Sequence, residues 1–298
     1  MPDTAVIILN WNGLAYLKTC LDSVFNQTYK NFIVYFVDNG SSDGSVDFVK
    51  KNYGSKILSG KLRIIALEKN YGFAEGNNIA MREALQNKSI KYICLLNNDT
   101  RVDKRWLKEL VSFAKKHPAG GIFGSKIYFL DKPKIISNIG GKMNFWLGLG
   151  WRIGCNAVDK SKYDKPTKVD NVAGASMLIK KETLERIGLF PSEFFIYYED
   201  TDLCAHAKKA GFEVWSVPRS RLWHKEGGSS TADKLFFSNR NHVWFMKRNA
   251  TKLQFLFFSF VWLTIGLFIR CLIHGNWKAQ IRGFLTGLIK PAPKLNLI

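Results

Sequence analysis

The sequence predicts an α/β fold with a central, mostly parallel sheet flanked by helices. Two observations carry that expectation. Short apolar runs alternate with stretches of helical spacing from Ala5 to Lys116. Polar residues (Asn10, Asp38, Asn70 and Asp99) stand at or just beyond the ends of successive apolar runs, the edge at which open sheets of this kind bind ligands. Taken in order, Ala5 to Leu9 reads as a short buried strand closed by Asn10-Trp11-Asn12-Gly13. Leu14, Leu17, Leu21 and Val24 then recur at helical spacing. Phe32 to Val37 is the second strand, and Ser42 is placed to cap the helix carrying Val46 and Val49. Leu62 to Leu67 is the third strand, followed by Asn70 to Ala74 and a helix near Asn77 to Leu85. Tyr92 to Leu96 is a strand, and Asp103 opens a helix to about Lys116. Further on, strands are expected at Gly120 to Phe129, Val169 to Ile179 and Phe212 to Val217, the last stopping before Pro218. Helices are expected at Glu182 to Ile187 and Asp200 to Ala210, the latter ended by Gly211.

A chain of 298 residues is long enough for one α/β domain with an appendage. We divide it at 1–232 and 233–298. The net charge of +20 points to a polyanionic partner. From Lys234 to Ile298 there is no acidic residue, and basic residues flank the apolar run from Leu253 to Ile269. Arg270 and the pair Lys247-Arg248 bracket that run, and Trp244, Trp262 and Trp277 suit a lipid–water boundary. Trp277 to Ile289 sets Ile281, Phe284, Leu285 and Leu288 on one helical face. The pattern is that of apolar, basic helices on an anionic membrane surface, a monotopic anchor being favoured over a single span. A buried helical hairpin or a homo-oligomer face is the competing explanation. Nucleic acid is not expected, because the basic residues are interleaved with aliphatic runs. Five scattered cysteines and no recognisable signal peptide fit a reducing compartment, hence the cytoplasmic face of the cell membrane.

The candidate chemistry lies in a few carboxylates. Asp38 precedes the turn Gly40 to Gly44, where glycine lets backbone approach a ligand. It can accept hydrogen bonds from a nucleobase imide or a ribose, or serve as a turn acid. Asp99, after Asn97-Asn98, has oxygen-rich neighbours suited to Mg²⁺ or Mn²⁺, or it can cap the helix near Asp103. A cation there would neutralise a diphosphate leaving group. Of Glu199 and Asp200, at a helix start, one can take a proton from an acceptor hydroxyl. The helix N-terminus favours the ionised acid, which makes Asp200 a base. His224 is a candidate metal ligand, with Lys225 and the loop Gly227 to Ser230 placed to contact phosphate.

These pieces, in this order, resemble the inverting family-2 glycosyltransferases of the GT-A type, in their rhamnosyltransferase-like branch. The match rests on Val6 to Gly13, Cys20 to Val24 with Gln27 to Tyr29, Val37 to Ser45, Asn70 to Asn78, Leu95 to Thr100, Gly174 to Ile179 and Tyr198 to Leu203. The resemblance implies the nucleotide-diphospho-sugar transferase fold, a nucleotide-diphosphate sugar donor such as dTDP-rhamnose or a UDP-sugar, a divalent metal and a single displacement with inversion. It implies that Asp38 holds the base, that Asn70 and Gly72 line the nucleotide pocket, that Asp99 is the last acid of the metal-binding triplet and that Asp200 is the catalytic base. Beside these, Asn10, Asn12, Asn77, Asn98 and Lys225 are further candidates for the donor site, His224 for the metal and Glu199 for the catalytic pair. Asn97 replaces the first acid of the usual metal-binding triplet, which bears on metal dependence. Glu75 would add charge near the donor.

The expected function is transfer of a sugar to a hydroxyl of a lipid-linked or cell-surface glycan. A nucleotidyltransferase of sugar phosphates is disfavoured, because Asn10 to Gly13 carries no Lys or Arg. A catalytically inactive membrane adaptor is disfavoured by the intact Asp38, Asp99 and Asp200. No GxGxxG follows the first strand, which disfavours a dehydrogenase.

Overall fold

A computed structural model describes residues 1–226, 231–266, 268–269, 272 and 276–296. The loop from Gly227 to Ser230 and the bracketing Arg270 therefore lie outside the described residues. The first half runs β1 (Thr4–Asn10), α1 (Leu14–Phe25), β2 (Phe32–Asp38), α2 (Ser45–Leu58), β3 (Leu62–Ala66), α3 (Gly72–Gln86), β4 (Tyr92–Asn97), β5 (Thr100–Val102) and α4 (Trp106–Lys116). Next come β6 (Gly120–Phe129), β7 (Ile136–Asn138), β8 (Gly141–Asn144), β9 (Leu149–Arg152), β10 (Thr167–Lys168), β11 (Ser176–Lys180), α5 (Lys181–Ile187), α6 (Glu199–Lys209) and β12 (Glu213–His224). Then follow α7 (Thr231–Asn249), α8 (Lys252–Val261) and α9 (Trp277–Ile289).

The main sheet has the order β10-β12-β6-β11-β4-β1-β2-β3. β1 pairs in parallel with both β2 and β4, and β2 in parallel with β3. β11 is antiparallel to its two neighbours, while β12 returns in parallel beside β6. β1 is apolar at successive positions because both its faces are covered. Val6 and Ile8 enter one core layer with Leu17, Phe36 and Trp106. Ala5 and Ile7 enter the other with Val37, Met81 and Leu95. α4 turns Leu107, Leu110, Val111 and Ala114 inward at helical spacing. Its Trp106 donates from Nε1 to the hydroxyls of Ser125 and Ser176 at 3.1 and 2.9 Å, so the buried indole N–H is satisfied.

Several boundaries differ from expectation. Ser42 does not cap α2; the cap position is Gly44 (φ +83°), and Asp43 instead accepts from the backbone N–H of Ser45. α3 begins at Gly72 rather than near Asn77, because the Asn70 side chain accepts from the Gly72 N–H at 2.8 Å and starts the turn early. The strand expected from Val169 is regular only from Ser176. β12 does not stop before Pro218: it continues to His224, and its pairing with β6 shifts between Val217 and Arg221, where the proline cannot donate. The face expected on α9 is split. Phe284 packs inward against Trp262, whereas Leu285 is exposed. Gly283 and Gly287 instead let α9 sit directly on the backbone of α7 at Phe236 and Arg240. The apolar run after Leu253 forms α8 and a π-helical turn at Trp262–Gly266. Among the described residues no helix is long and apolar enough to cross a membrane.

Candidate functional site

The strand register builds the site. Asn10 lies opposite Asp38, and Leu9 opposite Asn97, so the ends of β1, β2 and β4 meet at one edge. Asn10 donates from Nδ2 to Asp38 Oδ1 at 2.9 Å, and Asn98 donates to Asn10 Oδ1 at 2.6 Å. Asp38 Oδ2 accepts the backbone N–H of Ser41 at 2.9 Å. Gly13 lies under this row: a Cβ there would meet Asn98 Nδ2 at 2.0 Å. Asn39 donates to Asn70 Oδ1 at 2.9 Å and to the Gly72 carbonyl at 3.1 Å, joining the next strand end to α3.

A cavity of ≈ 500 Å³ opens at this edge. Of the residues expected in the site, Asn70, Gly72, Asn98, Asp99 and His224 line it. Asn10 and Asp38 are buried behind that wall; Asn10 accepts from Asn98 on it and donates in turn to Asp38. Asn12 lies at the exposed rim, where its Oδ1 accepts the N–H of Ser42 at 2.9 Å. Asn77 is buried within α3 and donates to the Phe73 carbonyl at 2.8 Å. Lys225 is not on the wall; it pairs with Asp131 at 2.6 Å, which pushes its ammonium pKa up. Sequence reasoning missed Trp11, Phe73, Phe195, Tyr197, Lys234 and Phe237 on the wall. Asn39, also on the wall, was missed as well; it lies with Trp11 and Phe73 inside the runs that carry the family resemblance, which is the signal that could have found them.

β12 brings His224 opposite Thr100 of β5, and hence beside Asp99. His224 Nε2 lies 3.0 Å from Asp99 Oδ1 and 3.3 Å from Asn97 Nδ2. Asp99 Oδ1 is buried and accepts no hydrogen bond, so the imidazole is near but not aligned as a donor. Neighbouring ligands of an octahedral Mg²⁺, each ~2.1 Å from the ion, are about 3.0 Å apart. The Asp99–His224 pair therefore fits as two adjacent ligands. Among the described residues no group of three or more His, Cys, Asp or Glu could hold an ion. The rest of a coordination shell is left to water and substrate oxygens, as is common for Mg²⁺.

Glu199 and Asp200 open α6 beside this wall without lining the cavity. Gly174 is the meeting point: a Cβ there would touch the Phe73 ring at 3.0 Å and Asp200 Cβ at 3.5 Å. Burial pushes the Asp200 carboxyl above its ordinary pKa. Hydrogen bonds from the N–H groups of Gly174 (2.8 Å) and Thr201 (2.6 Å) oppose that shift. Glu199 is buried, its Oε2 has no hydrogen-bond partner, and burial with the nearby Asp200 charge raises its pKa well above normal. Its protonated form is thus the one the fold favours. The stability this contributes is complete below the ordinary carboxyl pKa and is lost as pH rises through the raised one. Glu199→Gln is expected to match the parent near pH 4 and to melt ~3–6 °C higher by pH 8, in thermal unfolding followed across pH. A constant difference at all pH values would show that the carboxyl does not titrate in the fold.

The chain leading into α6 is strained: Phe195, Tyr197 and Tyr198 all have positive φ (+63°, +73° and +70°). Two elements hold it. From α3, Gly72 (φ +81°) lies against Phe195, whose carbonyl a Cβ would meet at 2.6 Å. Glu75 pairs with Arg82 and accepts from Ser192 Oγ at 2.7 Å, which gives this acid a bracing role. From α7, the buried Asn241 donates to the carbonyls of Phe194, Ile196 and Tyr197 at 2.8, 2.8 and 2.9 Å. Arg248 grips both oxygens of the buried Asp202 at 2.9 and 3.1 Å. Asn241→Ala removes three bonds from the loop at once and relaxes it, although the Phe194 carbonyl keeps the Ile196 N–H and Arg240 Nη2. Turnover is expected to fall about 10- to 100-fold with the donor KM little changed, as steady-state kinetics would show.

Residues 5–187 match the family model described as glycosyl transferase family 2. The chain belongs to glycosyl transferase family 2 and has the GT-A fold. It is 25% identical over 218 residues to the low-salt glycan biosynthesis hexosyltransferase Agl10 of Haloferax volcanii, covering 72% of this chain and 64% of that one. It is 23% identical over 244 residues to the N-acetylglucosaminyl-diphospho-decaprenol L-rhamnosyltransferase of Mycobacterium tuberculosis (strain H37Rv), covering 76% and 78%. The mannosyltransferase PcManGT of Pyrobaculum calidifontis, solved with GDP-Man and Mn²⁺, superposes with a TM-score of 0.64 at 14% identity, over 97% of this chain and 87% of that one. The chain spans only 25% and 18% of the length of two other curated relatives.

Proposed function

We propose that this protein transfers a sugar from a nucleotide-diphosphate donor to a hydroxyl of a lipid-linked or cell-surface glycan, with inversion. One observation carries the reading: three strand ends and His224 converge on a single cavity, with the α6 acids at its side. The family match and the relatives named for hexosyl and rhamnosyl transfer support it. Asn70, Gly72 and Asn98 bind the donor along the strand ends. Asp38, behind the wall, serves the base end by holding Asn10 and the turn at Ser41 in place. Asp99 and His224 would hold a divalent cation, which supplies charge neutralisation for the departing diphosphate. Asp200 takes the proton from the acceptor hydroxyl. The acceptor oxygen bonds to the anomeric carbon from the face opposite the diphosphate. The anomeric C–O bond breaks, its electron pair leaves with the nucleoside diphosphate, and the carbon inverts. Residues 233–298 would hold the enzyme against the anionic, cytoplasmic membrane face where such acceptors reside.

The test is a panel of nucleotide sugars, dTDP-rhamnose and UDP-sugars first, scored for nucleoside diphosphate release with a lipid-linked acceptor, with and without Mn²⁺. Release that depends on both donor and acceptor is expected. Failure with every donor while the protein is folded would overturn the reading.

A further inference from the structure

The two longest acid-free stretches of the chain are 132–158 and 234–298. They are far apart in sequence, and the fold puts them in contact. The hairpin β8–β9 rests its turn on α8 and the π-turn that follows. The Trp146 ring meets Phe257 edge-on at 5.9 Å, and Trp262 donates from Nε1 to the Leu147 carbonyl at 3.1 Å. Gly148 (φ +63°) is close enough to Phe258 that a Cβ would meet the ring at 2.5 Å. The hairpin thereby extends the outer face of α8. Trp146, Leu149 and Trp151 from the hairpin join Leu256, Phe257 and Phe260 from α8, each between 43% and 66% exposed. Lys142 stands opposite Trp151 across the hairpin, and Lys252 opens α8.

We propose that this joint face docks on an anionic lipid bilayer, with the hairpin as a second anchor beside the C-terminal helices. The inference rests on the reading that residues 233–298 meet a membrane, and adds to it a part of the chain outside that tail. Aromatic and aliphatic side chains flanked by Lys142 and Lys252 suit the headgroup–acyl boundary. A second copy of the chain suits the face less, because it would set like charges against each other. Each apolar side chain moved out of water is worth about tenfold in binding.

The test is co-sedimentation with phosphatidylglycerol–phosphatidylcholine vesicles against pure phosphatidylcholine, with oligomeric state followed by light scattering. The parent should bind the anionic vesicles selectively. Leu149→Ser with Trp151→Ser should raise the half-saturating lipid concentration at least about tenfold. Lys142→Glu, which leaves the apolar face intact, should weaken binding to the anionic vesicles alone. If the parent binds and both hairpin variants bind equally well, the hairpin is no anchor, while the reading of the tail survives. If the parent ignores anionic vesicles, both fall. If it forms a dimer that the hairpin variant dissociates, the face belongs to a second copy.

Discussion

Asp200→Asn is expected to cut glycosyl transfer about 10²–10⁴-fold while the donor still binds. The amide keeps the shape of the carboxyl but only one acceptor oxygen, so it can still accept from the N–H of Gly174 or of Thr201, which reach different oxygens in the parent, but not from both. It also loses the capacity to take a proton, and a positioned general base contributes about 10²–10⁴-fold. The environment also sets a direction for pH. Burial raises the carboxyl's pKa, so the parent's turnover should rise as pH increases through that value and then level off. The residual activity of the variant should lack that rise. Donor titration by calorimetry and a pH–rate profile check both parts. Normal transfer by the variant would remove the proton-acceptor role from Asp200.

Asp99→Ala should weaken donor binding about 10–100-fold in the presence of Mn²⁺ and leave it unchanged under chelation. The reason is the orphaned oxygen of Asp99, buried 3.0 Å from His224 Nε2 and hydrogen-bonded to nothing. His224→Ala should behave the same way. Chelating the parent should bring its affinity down to that of the variants. If either variant loses the same affinity with chelator as with Mn²⁺, the pair contacts the donor directly rather than through an ion.

The architecture was largely legible because strand ends are marked locally. An apolar run that stops at Asn10, Asp38 or Asn97-Asn98-Asp99 reveals both the strand and the edge it reaches, and the register follows from parallel pairing. Errors came where tertiary contacts overrule local signals. Pro218 reads as a stop, yet β6 accommodates it by a shift in pairing. Gly72 reads as loop, yet Asn70 makes it a helix start. The Phe195–Tyr198 strain had no local signature either, because Asn241 and Glu75 stabilise it from elements on either side in sequence. Likewise, the hairpin's partnership with α8 could be read only after folding.

The dependence of the 194–198 segment on α7 has a consequence for how the protein comes into being. Synthesis runs from the N-terminus, so Glu199 and Asp200 leave the ribosome before Asn241 and Arg248 exist to hold their surroundings. A nascent chain with its whole sheet assembled would still be idle, because the loop has no carbonyl clamp until the last helices emerge. On the proposed reading, α7 is thus a latch on the chemistry of Asp200.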